Sequence, residues 1–393
     1  MLLYTGITLL TVLLAALVRP TSYRNSRQRV MNMVSFAAIF TILTLLAAFR
    51  LEVGNDYGNY VTTCHEIFNK GYVVTEPGFN LVVRILYTIS GKEDYILMFA
   101  FFGAAIVFLF LYAFITMSDS FLWSVFLFMT LGVYFRSFNT VRYYFVLAIT
   151  LLLLRLVSDV VVQDPKDGSR HISYQRLIFF IILTLVSATF HKSVLVIIPL
   201  YLFCRLPLRK WMLLLIGVLA AAGFFLYEPI MELGLKFYPS YIGTEYITRQ
   251  VSISDYLPAV GRGILVLILS IICYREAVSD RADNKLYMNM NILGIALYCS
   301  CYRLPLISRI GYYLMTSHLI FVPNIISSLT GRKKKIVMIA VAVFALIYYV
   351  YFLRGAYEVG TRVLPYRSWL FDTADWLDQT DIFDWGVLTP LER

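Results

Sequence analysis

Long apolar runs alternate with short polar stretches along most of the chain. A run of about 20 apolar residues crosses a bilayer as one helix, because the backbone must satisfy its own hydrogen bonds in lipid. These runs lack the short alternating pattern of an outer-membrane barrel. The pattern predicts an all-α, polytopic integral membrane helical bundle of about 12 transmembrane helices. The predicted spans are 2–18, 31–49, 95–116, 121–135, 137–157, 177–190, 193–204, 211–227, 259–274, 286–303, 310–329 and 336–353.

Composition and charge agree with a membrane protein. Apolar residues make up 60% of the 393 residues and charged residues 15%, whereas soluble domains carry about 25% charged residues. The net charge of +10 lies in short basic loops between spans, at 19–29, 205–210 and 332–335. That placement is the positive-inside signature of cytoplasmic loops, so no nucleic-acid partner is expected. With an even number of spans, both termini are predicted to lie outside.

The polar loops 158–176 and 275–285 are also predicted to be cytoplasmic, and three other segments are predicted to lie at the outer face. They are the loops 50–94 and 228–258 and the tail 354–393, in which several aspartates alternate with Trp376 and Trp385. We therefore divide the chain into a transmembrane domain, 1–353, and an acidic, Trp-containing outer-face tail, 354–393. Within the first loop, Thr75 is predicted to cap a short interfacial helix with Pro77 in its first turn.

Several arginines and one histidine lie inside or against apolar runs. A charged side chain at the bilayer centre costs about 2.5–3.5 kcal/mol on insertion scales, so such residues usually face a protein interior or a wet cavity. With the predicted topology they gather at the outer end of the bundle, which favours one outward-facing cavity. The alternative is that the arginines extend to the outer headgroups. The residues are Arg50, Arg136, Arg142, His191 and Arg309.

Arg136, Asn139 and Arg142 are each three residues apart, and this spacing predicts a stripe on one face of a helix. Guanidinium groups on one face suit bidentate binding of phosphate or diphosphate.

His191, Asp56 and Glu76 are the candidate catalytic residues. Histidine has an unperturbed pKa of about 6.5, which suits proton transfer at neutral pH. Gly54 and Gly58 on either side of Asp56 indicate a tight loop. The alternatives are an interfacial histidine and ordinary solvated carboxylates.

Several kinds of chemistry have no motif in this sequence. The five cysteines show no metal-ligand spacing, and there is no Walker loop, dinucleotide glycine fingerprint or GxSxG elbow. We expect no metal and no cofactor. A cytoplasmic loop with an Asp-x-Asp pair is also missing, which argues against a transferase that uses nucleotide sugars from the cytoplasm.

The polar residues resemble those of the EpsG family, the Wzy-like polysaccharide polymerases. Five short elements occur in the family's order over about residues 30–330. They are Arg50-Leu-Glu-Val-Gly-Asn-Asp56-Tyr57-Gly-Asn-Tyr60, Glu76-Pro-Gly-Phe79, Asn139-Thr-Val-Arg142, Phe190-His191-Lys-Ser193 and Arg309-Ile-Gly-Tyr312-Tyr313. In the family the Asn-x-x-Arg element is commonly followed by Gln, whereas Tyr143 follows here.

The resemblance implies a glycosyltransferase that joins undecaprenyl-diphosphate-linked oligosaccharide repeat units at the outer face of the bacterial cytoplasmic membrane. The lipid diphosphate would be the leaving group, so neither a metal nor a nucleotide is needed. Arg142 and Arg309 would bind the diphosphate, with Arg50 supporting them, and His191, Asp56 or Glu76 would deprotonate the acceptor hydroxyl. A chain-length regulator is an expected partner.

Other functions fit parts of the pattern. A membrane glycosyltransferase that adds one sugar from a polyprenyl-phosphate donor would share every feature and differ in its product. A transporter or flippase of lipid-linked sugars should show repeat symmetry, which this chain lacks. A membrane O-acyltransferase would need its histidine near a cytoplasmic acyl donor, whereas His191 is predicted to lie outside.

Overall fold

The computed structural model describes residues 1–19, 26–163, 170–237, 253–300, 307–357 and 361–371, and these are predominantly helical. The first helices in chain order are α1 (Leu2–Ala16), α2 (Ser26–Ala48), α3 (Tyr57–Phe68), α4 (Pro77–Ser90), α5 (Tyr95–Met117), α6 (Phe121–Thr130), α7 (Val133–Arg136), α8 (Val141–Ser158), α9 (Tyr174–Ala188) and α10 (Ile197–Arg205). The later helices are α11 (Lys210–Phe225), α12 (Tyr227–Phe237), α13 (Ile253–Ile272), α14 (Ala282–Ser300), α15 (Ile307–Met315), α16 (His318–Ser328) and α17 (Gly331–Gly355). The all-α prediction is confirmed for the described residues.

Strands make up only a small part of the described residues, and each is two or three residues long. Antiparallel pairs form between β1 (Arg50–Leu51) and β4 (Arg367–Ser368) and between β2 (Val161–Gln163) and β3 (Arg170–Ile172). The second pair lies in the segment that the sequence predicts as a long polar cytoplasmic loop.

Four of the described helices, α2, α5, α8 and α17, are long and apolar enough to cross a membrane. The bent pair α11 and α12, with an angle of 83° between its helices, would make a fifth. Other apolar helices, such as α1, α6 and α9, are shorter than 18 residues. The multi-pass class is supported, whereas twelve complete crossings are not confirmed by the described helices.

Breaks in the backbone explain this difference. The predicted span 121–135 is divided at Gly132, whose φ of +69° ends α6 before α7 begins. A side chain at this glycine would lie 2.7 Å from the ring of Phe352, so the turn and its packing both require glycine. The predicted span 310–329 is likewise divided between α15 and α16. A hydropathy pattern counts apolar residues but does not register such turns.

The chain forms two compact units. Unit 1 comprises Met1–Ile149, Leu185–Lys192 and Ala340–Arg393, and unit 2 comprises Thr150–Thr184 and Ser193–Ile339. The predicted boundary between a domain 1–353 and a tail 354–393 stays a prediction. Within unit 1, residues 361–371 attach to the segment that follows α2, through the β1–β4 pair and through the Gly54 N–H, which donates to the Arg362 carbonyl at 2.8 Å.

Close helix packing in unit 1 depends on small residues. Helix α2 packs along α5, and a Cβ on Gly103 of α5 would lie 2.9 Å from the Cβ of Ala47. The two backbones therefore approach as only glycine and alanine allow.

Unit 2 is arranged around α14, which packs against α10, α11, α13 and α15. Two buried asparagines of α14 hold neighbouring backbone. Asn284 Nδ2 donates to the Ala277 carbonyl at 2.6 Å, and Asn291 Nδ2 donates to the Gly263 carbonyl at 2.9 Å. Asn324 of α16 donates in turn to Asn284 Oδ1 at 3.1 Å. These contacts satisfy the hydrogen-bonding groups of the amide side chains, which would be costly to bury in apolar surroundings without partners.

One predicted feature of the outer segments differs from the structure, and other predicted features lie outside the described residues. Glu76, and not Thr75, is the N-cap residue of α4, while Pro77 occupies the first turn as predicted. Thr75 has another role, because its hydroxyl donates to Asn80 Oδ1. Trp376, Trp385 and the tail aspartates lie outside the described residues, as does 238–252 of the loop predicted at 228–258.

Candidate functional site

A carboxylate, a guanidinium and an imidazole meet in unit 1. Glu76 Oε2 accepts a hydrogen bond from Arg142 Nη1, and Glu76 Oε1 lies 3.5 Å from His191 Nδ1. The Lys192 backbone N–H also donates to Glu76 Oε1, at 3.2 Å. The side chains of Glu76 and His191 are only 12% and 14% exposed. Three of the eight predicted site residues are therefore in direct contact, although 115 positions separate Glu76 from His191.

The start of α4 brings Glu76 to His191. Pro77 fixes the first turn of the helix, and Glu76 precedes it in an extended conformation. The Gly78 N–H then donates to the Thr189 carbonyl at 2.7 Å. A Cβ on Gly78 would lie 2.3 Å from Thr189 Oγ1 and 2.9 Å from the Thr189 carbonyl oxygen. Only glycine permits this approach of α4 to the turn that carries His191.

The environment keeps Glu76 ionised. Burial raises its pKa, but the hydrogen bond with His191 and the charge of Arg142 together outweigh burial and lower the pKa of Glu76 to about 2. A carboxylate whose conjugate acid has such a low pKa is a weak proton acceptor at neutral pH. Glu76 can hold and orient its neighbours, but it is poorly suited to remove a proton from a hydroxyl.

Aromatic rings surround the two partners of Glu76. The Arg142 guanidinium lies 5.4 Å from the Phe79 ring centroid and 5.9 Å from that of Tyr60. The Arg142 backbone N–H donates to the Tyr60 hydroxyl at 3.2 Å. Tyr143, which stands where the family commonly has Gln, lies edge-on to His191 with ring centroids 5.5 Å apart. The departure from the family's pattern thus places an aromatic ring against the imidazole.

Asp56 and Asn139 lie in a second contact within unit 1. The Asp56 backbone N–H donates to Asn139 Oδ1 at 2.9 Å, and Asp56 is the N-cap residue of α3. Gly54 has a φ of +102°, and a Cβ there would lie 2.6 Å from the Phe138 carbonyl oxygen. The tight loop predicted around Asp56 is present. Asn139 acts on the loop backbone in this structure.

The predicted helical stripe of Arg136, Asn139 and Arg142 is wrong. Arg136 ends α7, Asn139 lies in the following turn, and Arg142 is the second residue of α8. The three side chains therefore reach different neighbours, and Arg136 lies over the ring of Phe352 at 5.4 Å. A spacing of three residues gives one face only where the helix is continuous.

Arg50 is 2% exposed and lies among aromatic rings. Its guanidinium is 4.2 Å from the Phe99 ring centroid and 5.3 Å from that of Phe138, and Nη1 donates to the Ala47 carbonyl. Such contacts stabilise a cation away from water. Arg50 is better explained as a structural cation that closes the end of α2, and its role at a diphosphate stays a prediction.

Arg309 belongs to unit 2, on α15, and is partly buried. The same unit contains two residues that the sequence interpretation missed, Arg262 and His318, which are 4% and 1% exposed. The signal was available, because each lies within an apolar run in the same way as Arg142 or Arg309. Within the described part of the chain, no group of three or more His, Cys, Asp or Glu residues could hold a metal ion.

Comparison with known proteins supports the family suggested by these residues. Residues 33–368 match the EpsG family, a range that contains every predicted site residue. No curated protein and no solved structure matches the chain. The chain therefore belongs to the EpsG family of Wzy-like polymerases, and it is a multi-pass membrane protein of the polysaccharide polymerase type.

Proposed function

We propose that this protein polymerises undecaprenyl-diphosphate-linked oligosaccharide repeat units at the outer face of the bacterial cytoplasmic membrane. The observation that carries the proposal is the contact of Glu76 with both Arg142 and His191. It joins a cation that can bind a diphosphate to a base that can activate a hydroxyl, and glycosyl transfer from a lipid diphosphate needs both.

The reaction is a displacement at the anomeric carbon of the donor glycan. The acceptor hydroxyl oxygen forms the new bond to this carbon while the bond from the carbon to the phosphate oxygen breaks. The electron pair of the broken bond leaves with the lipid diphosphate. Arg142 supplies positive charge to this leaving group, and removal of such a group typically costs about 10²–10³ in rate. A diphosphate leaves without a metal or a nucleotide when cations neutralise its charge.

His191 receives the proton of the acceptor hydroxyl. Glu76 Oε1 lies 3.5 Å from Nδ1, so it orients the ring and stabilises the imidazolium that forms. We assign the transfer of the acceptor proton to Nε2. Glu76, first considered as a base, is thus assigned to positioning, because the pKa of its carboxyl is about 2. Asp56 is the second candidate base. A positioned base contributes about 10²–10⁴ in rate.

The proposal includes a topology. About twelve helical segments cross or enter the membrane, both termini lie outside, and the cluster around Glu76 faces an outward-opening cavity. Support comes from the basic loops at 205–210 and 332–335, which fit the cytoplasmic side. The donor and the acceptor are then both lipid-linked glycans presented at the outer leaflet.

The test is glycan analysis of a host that lacks the gene and is complemented with variants expressed at equal level. We expect Arg142→Ala and His191→Gln to reduce the wild-type ladder to a single lipid-linked repeat. The chain offers a matched control in the surface pair His65–Glu93, whose Nδ1 and Oε2 atoms are 3.0 Å apart. His65→Gln should leave the ladder intact.

Two outcomes would contradict the proposal. A deletion strain with a ladder of normal length that lacks one sugar would make this protein a single-sugar transferase. A complete ladder with Arg142→Ala would refute the role given to that arginine.

A further inference from the structure

Residues 361–371 have no part in the reaction as proposed so far, yet hydrogen bonds attach them to the end of α2. The Tyr366 hydroxyl donates to the Leu46 carbonyl of α2 at 3.0 Å. The Trp369 backbone N–H donates to the Phe49 carbonyl, also at 3.0 Å. The β1–β4 pair continues this attachment beyond α2. The 361–371 segment therefore holds the chain between α2 and α3.

The backbone is strained where the 361–371 segment meets the loop 52–56. Glu52 has a φ of +54° and Arg362 a φ of +42°, and residues other than glycine rarely adopt such values. Both lie at the same junction, where the Gly54 N–H donates to the Arg362 carbonyl at 2.8 Å. Strained residues persist only where the surrounding structure holds them, and they are concentrated at functional sites. The strain therefore indicates that the course of this loop matters for function.

An ion pair and an indole hydrogen bond link the 361–371 segment to the loop and to α3. Arg367 Nη1 donates to Glu52 Oε2 at 2.5 Å, and Trp369 Nε1 donates to the Tyr57 hydroxyl at 3.3 Å. The side chains of Arg367 and Glu52 are 41% and 29% exposed, and ion pairs in water contribute little to stability. Since Tyr57 is the first residue of α3, these contacts determine where the helix starts more than they stabilise the fold.

Helix α3 and the loop before it fix the start of α8. The Asp56 backbone N–H donates to Asn139 Oδ1 at 2.9 Å, and the Tyr60 hydroxyl accepts from the Arg142 backbone N–H at 3.2 Å. Because α8 begins at Val141, this N–H is one of the first four of the helix, which have no partner within it. The Tyr60 hydroxyl therefore helps to set the position of the residue that carries the guanidinium of the candidate site.

We propose that Arg367 and Trp369 are positioning residues of the polymerase, which act on Arg142 through the loop 52–56 and α3. This inference rests on the proposed function, in which Arg142 stabilises the departing diphosphate. A displacement of about 1 Å in a catalytic group can cost about 10²-fold in rate. The charge on the leaving oxygen develops in the transition state, so a misplaced Arg142 lowers kcat more than it weakens substrate binding.

The test measures turnover and stability on the same purified full-length protein in detergent. The substrate is the lipid-linked repeat unit isolated from a host that lacks the gene. We expect Arg367→Ala to lower kcat about tenfold and Trp369→Phe about threefold, with KM and the melting temperature close to the wild type. Arg281→Ala is the matched control, because Arg281 forms an ion pair of similar exposure with Asp283 in unit 2, at 2.8 Å. It should keep the wild-type kcat.

Exchange of the two charges separates positioning from a general structural role. Glu52→Arg should lower kcat as Arg367→Ala does, and the double variant Glu52→Arg with Arg367→Glu should recover at least half of the wild-type kcat. If Arg367→Ala does not fold, Glu52→Asn replaces it, since asparagine tolerates a positive φ, and it should lower kcat to the same extent. A wild-type kcat in the single variants, or no recovery in the double variant, would overturn the proposal.

Two further outcomes assign the cause of a failure. A lower melting temperature with an unchanged kcat in Arg367→Ala would make the ion pair a folding contact and overturn its positioning role. Arg142→Ala in the same assay tests the proposed function separately. An inactive Arg142→Ala beside a fully active Arg367→Ala would overturn the positioning role alone, whereas an active Arg142→Ala would overturn the role of that arginine and this inference with it.

Discussion

At the scale of single residues, one carboxylate serves two chemically different partners. Glu76 gives one oxygen to Arg142 and the other to the Lys192 N–H and His191. A change at this position therefore alters a cation and an imidazole together. Replacement of either partner alone leaves Glu76 with its other contact.

The stability of the protein should depend on the ionisation of Glu76. Because the folded-state pKa is lowered to about 2, the stabilisation is fully present above the unfolded value of about 4.3 and is lost as the pH falls towards 2. Its size is on the order of 2–3 kcal/mol. Glu76→Gln should lower the melting temperature at pH 7, and the gap to the wild type should narrow at pH 3. Thermal unfolding in detergent at both pH values measures this.

Glu93→Gln is the control for this measurement, since Glu93 pairs with His65 in a more exposed position. Exposed pairs contribute about 0–1 kcal/mol, so this variant should melt close to the wild type at both pH values. An equal loss of stability in the Glu76 and Glu93 variants at pH 7 would show that the buried cluster around Glu76 contributes no more to the free energy of unfolding than an exposed ion pair does.

The sequence identified the members of this cluster but not their contacts. Arg142 and His191 were recognisable because polar groups in apolar runs are costly. Their meeting at Glu76 depends on the close approach of Gly78 to Thr189, which no local pattern specifies. Arg262 is also a charged residue within an apolar run, as Arg142 is, and the sequence interpretation did not select it. The cost of a charge in an apolar run therefore identifies such positions, but it was applied to only some of them.

At the scale of elements, the first turn of α4 is the support of the site. The Gly78→Ala variant should disturb it without touching any substrate, because the new Cβ would lie 2.3 Å from Thr189 Oγ1 and 2.9 Å from the Thr189 carbonyl. We expect a shortened glycan ladder at normal expression. Gly58→Ala is the matched control, since a Cβ there meets nothing within 4 Å and Gly58 lies in α3.

The control should keep a ladder of full length, because the added methyl group would meet nothing within 4 Å. A full-length ladder from Gly78→Ala would show that the spacing between α4 and the 189–192 turn is not critical.

The helices themselves were largely predictable, and their interruptions were not. Each predicted span overlaps one or two helices among the described residues, because long apolar runs are typical of buried or lipid-facing helices. Gly132 and the break between α15 and α16 divide two of these runs through backbone conformation. For the same reason the predicted stripe from Arg136 to Arg142 failed, since it assumed a helix where the chain turns.

At the scale of the whole molecule, the orientation in the membrane decides which reactions are accessible. In a variant with its cysteines replaced by serine, a cysteine at position 72 should react with an impermeant maleimide added to intact spheroplasts, and one at position 280 should react only after permeabilisation. Tyr72 and Asp280 are both exposed in the structure, so access to reagent reports the side of the membrane. The opposite labelling pattern would contradict a cluster at the outer face.

The β1–β4 pair has a consequence for the order in which the protein is made. Strand β1 lies at positions 50–51 and its partner at 367–368, so more than three hundred residues leave the ribosome before β1 can be paired. The loop that carries Asp56, whose Gly54 is bound to the carbonyl of Arg362, is thus completed only after the membrane helices between them have been inserted. A chain arrested before residue 367 would hold Glu76, Arg142 and His191 and still lack the strand that secures the neighbouring loop, so activity should first appear once residues 361–371 have been made.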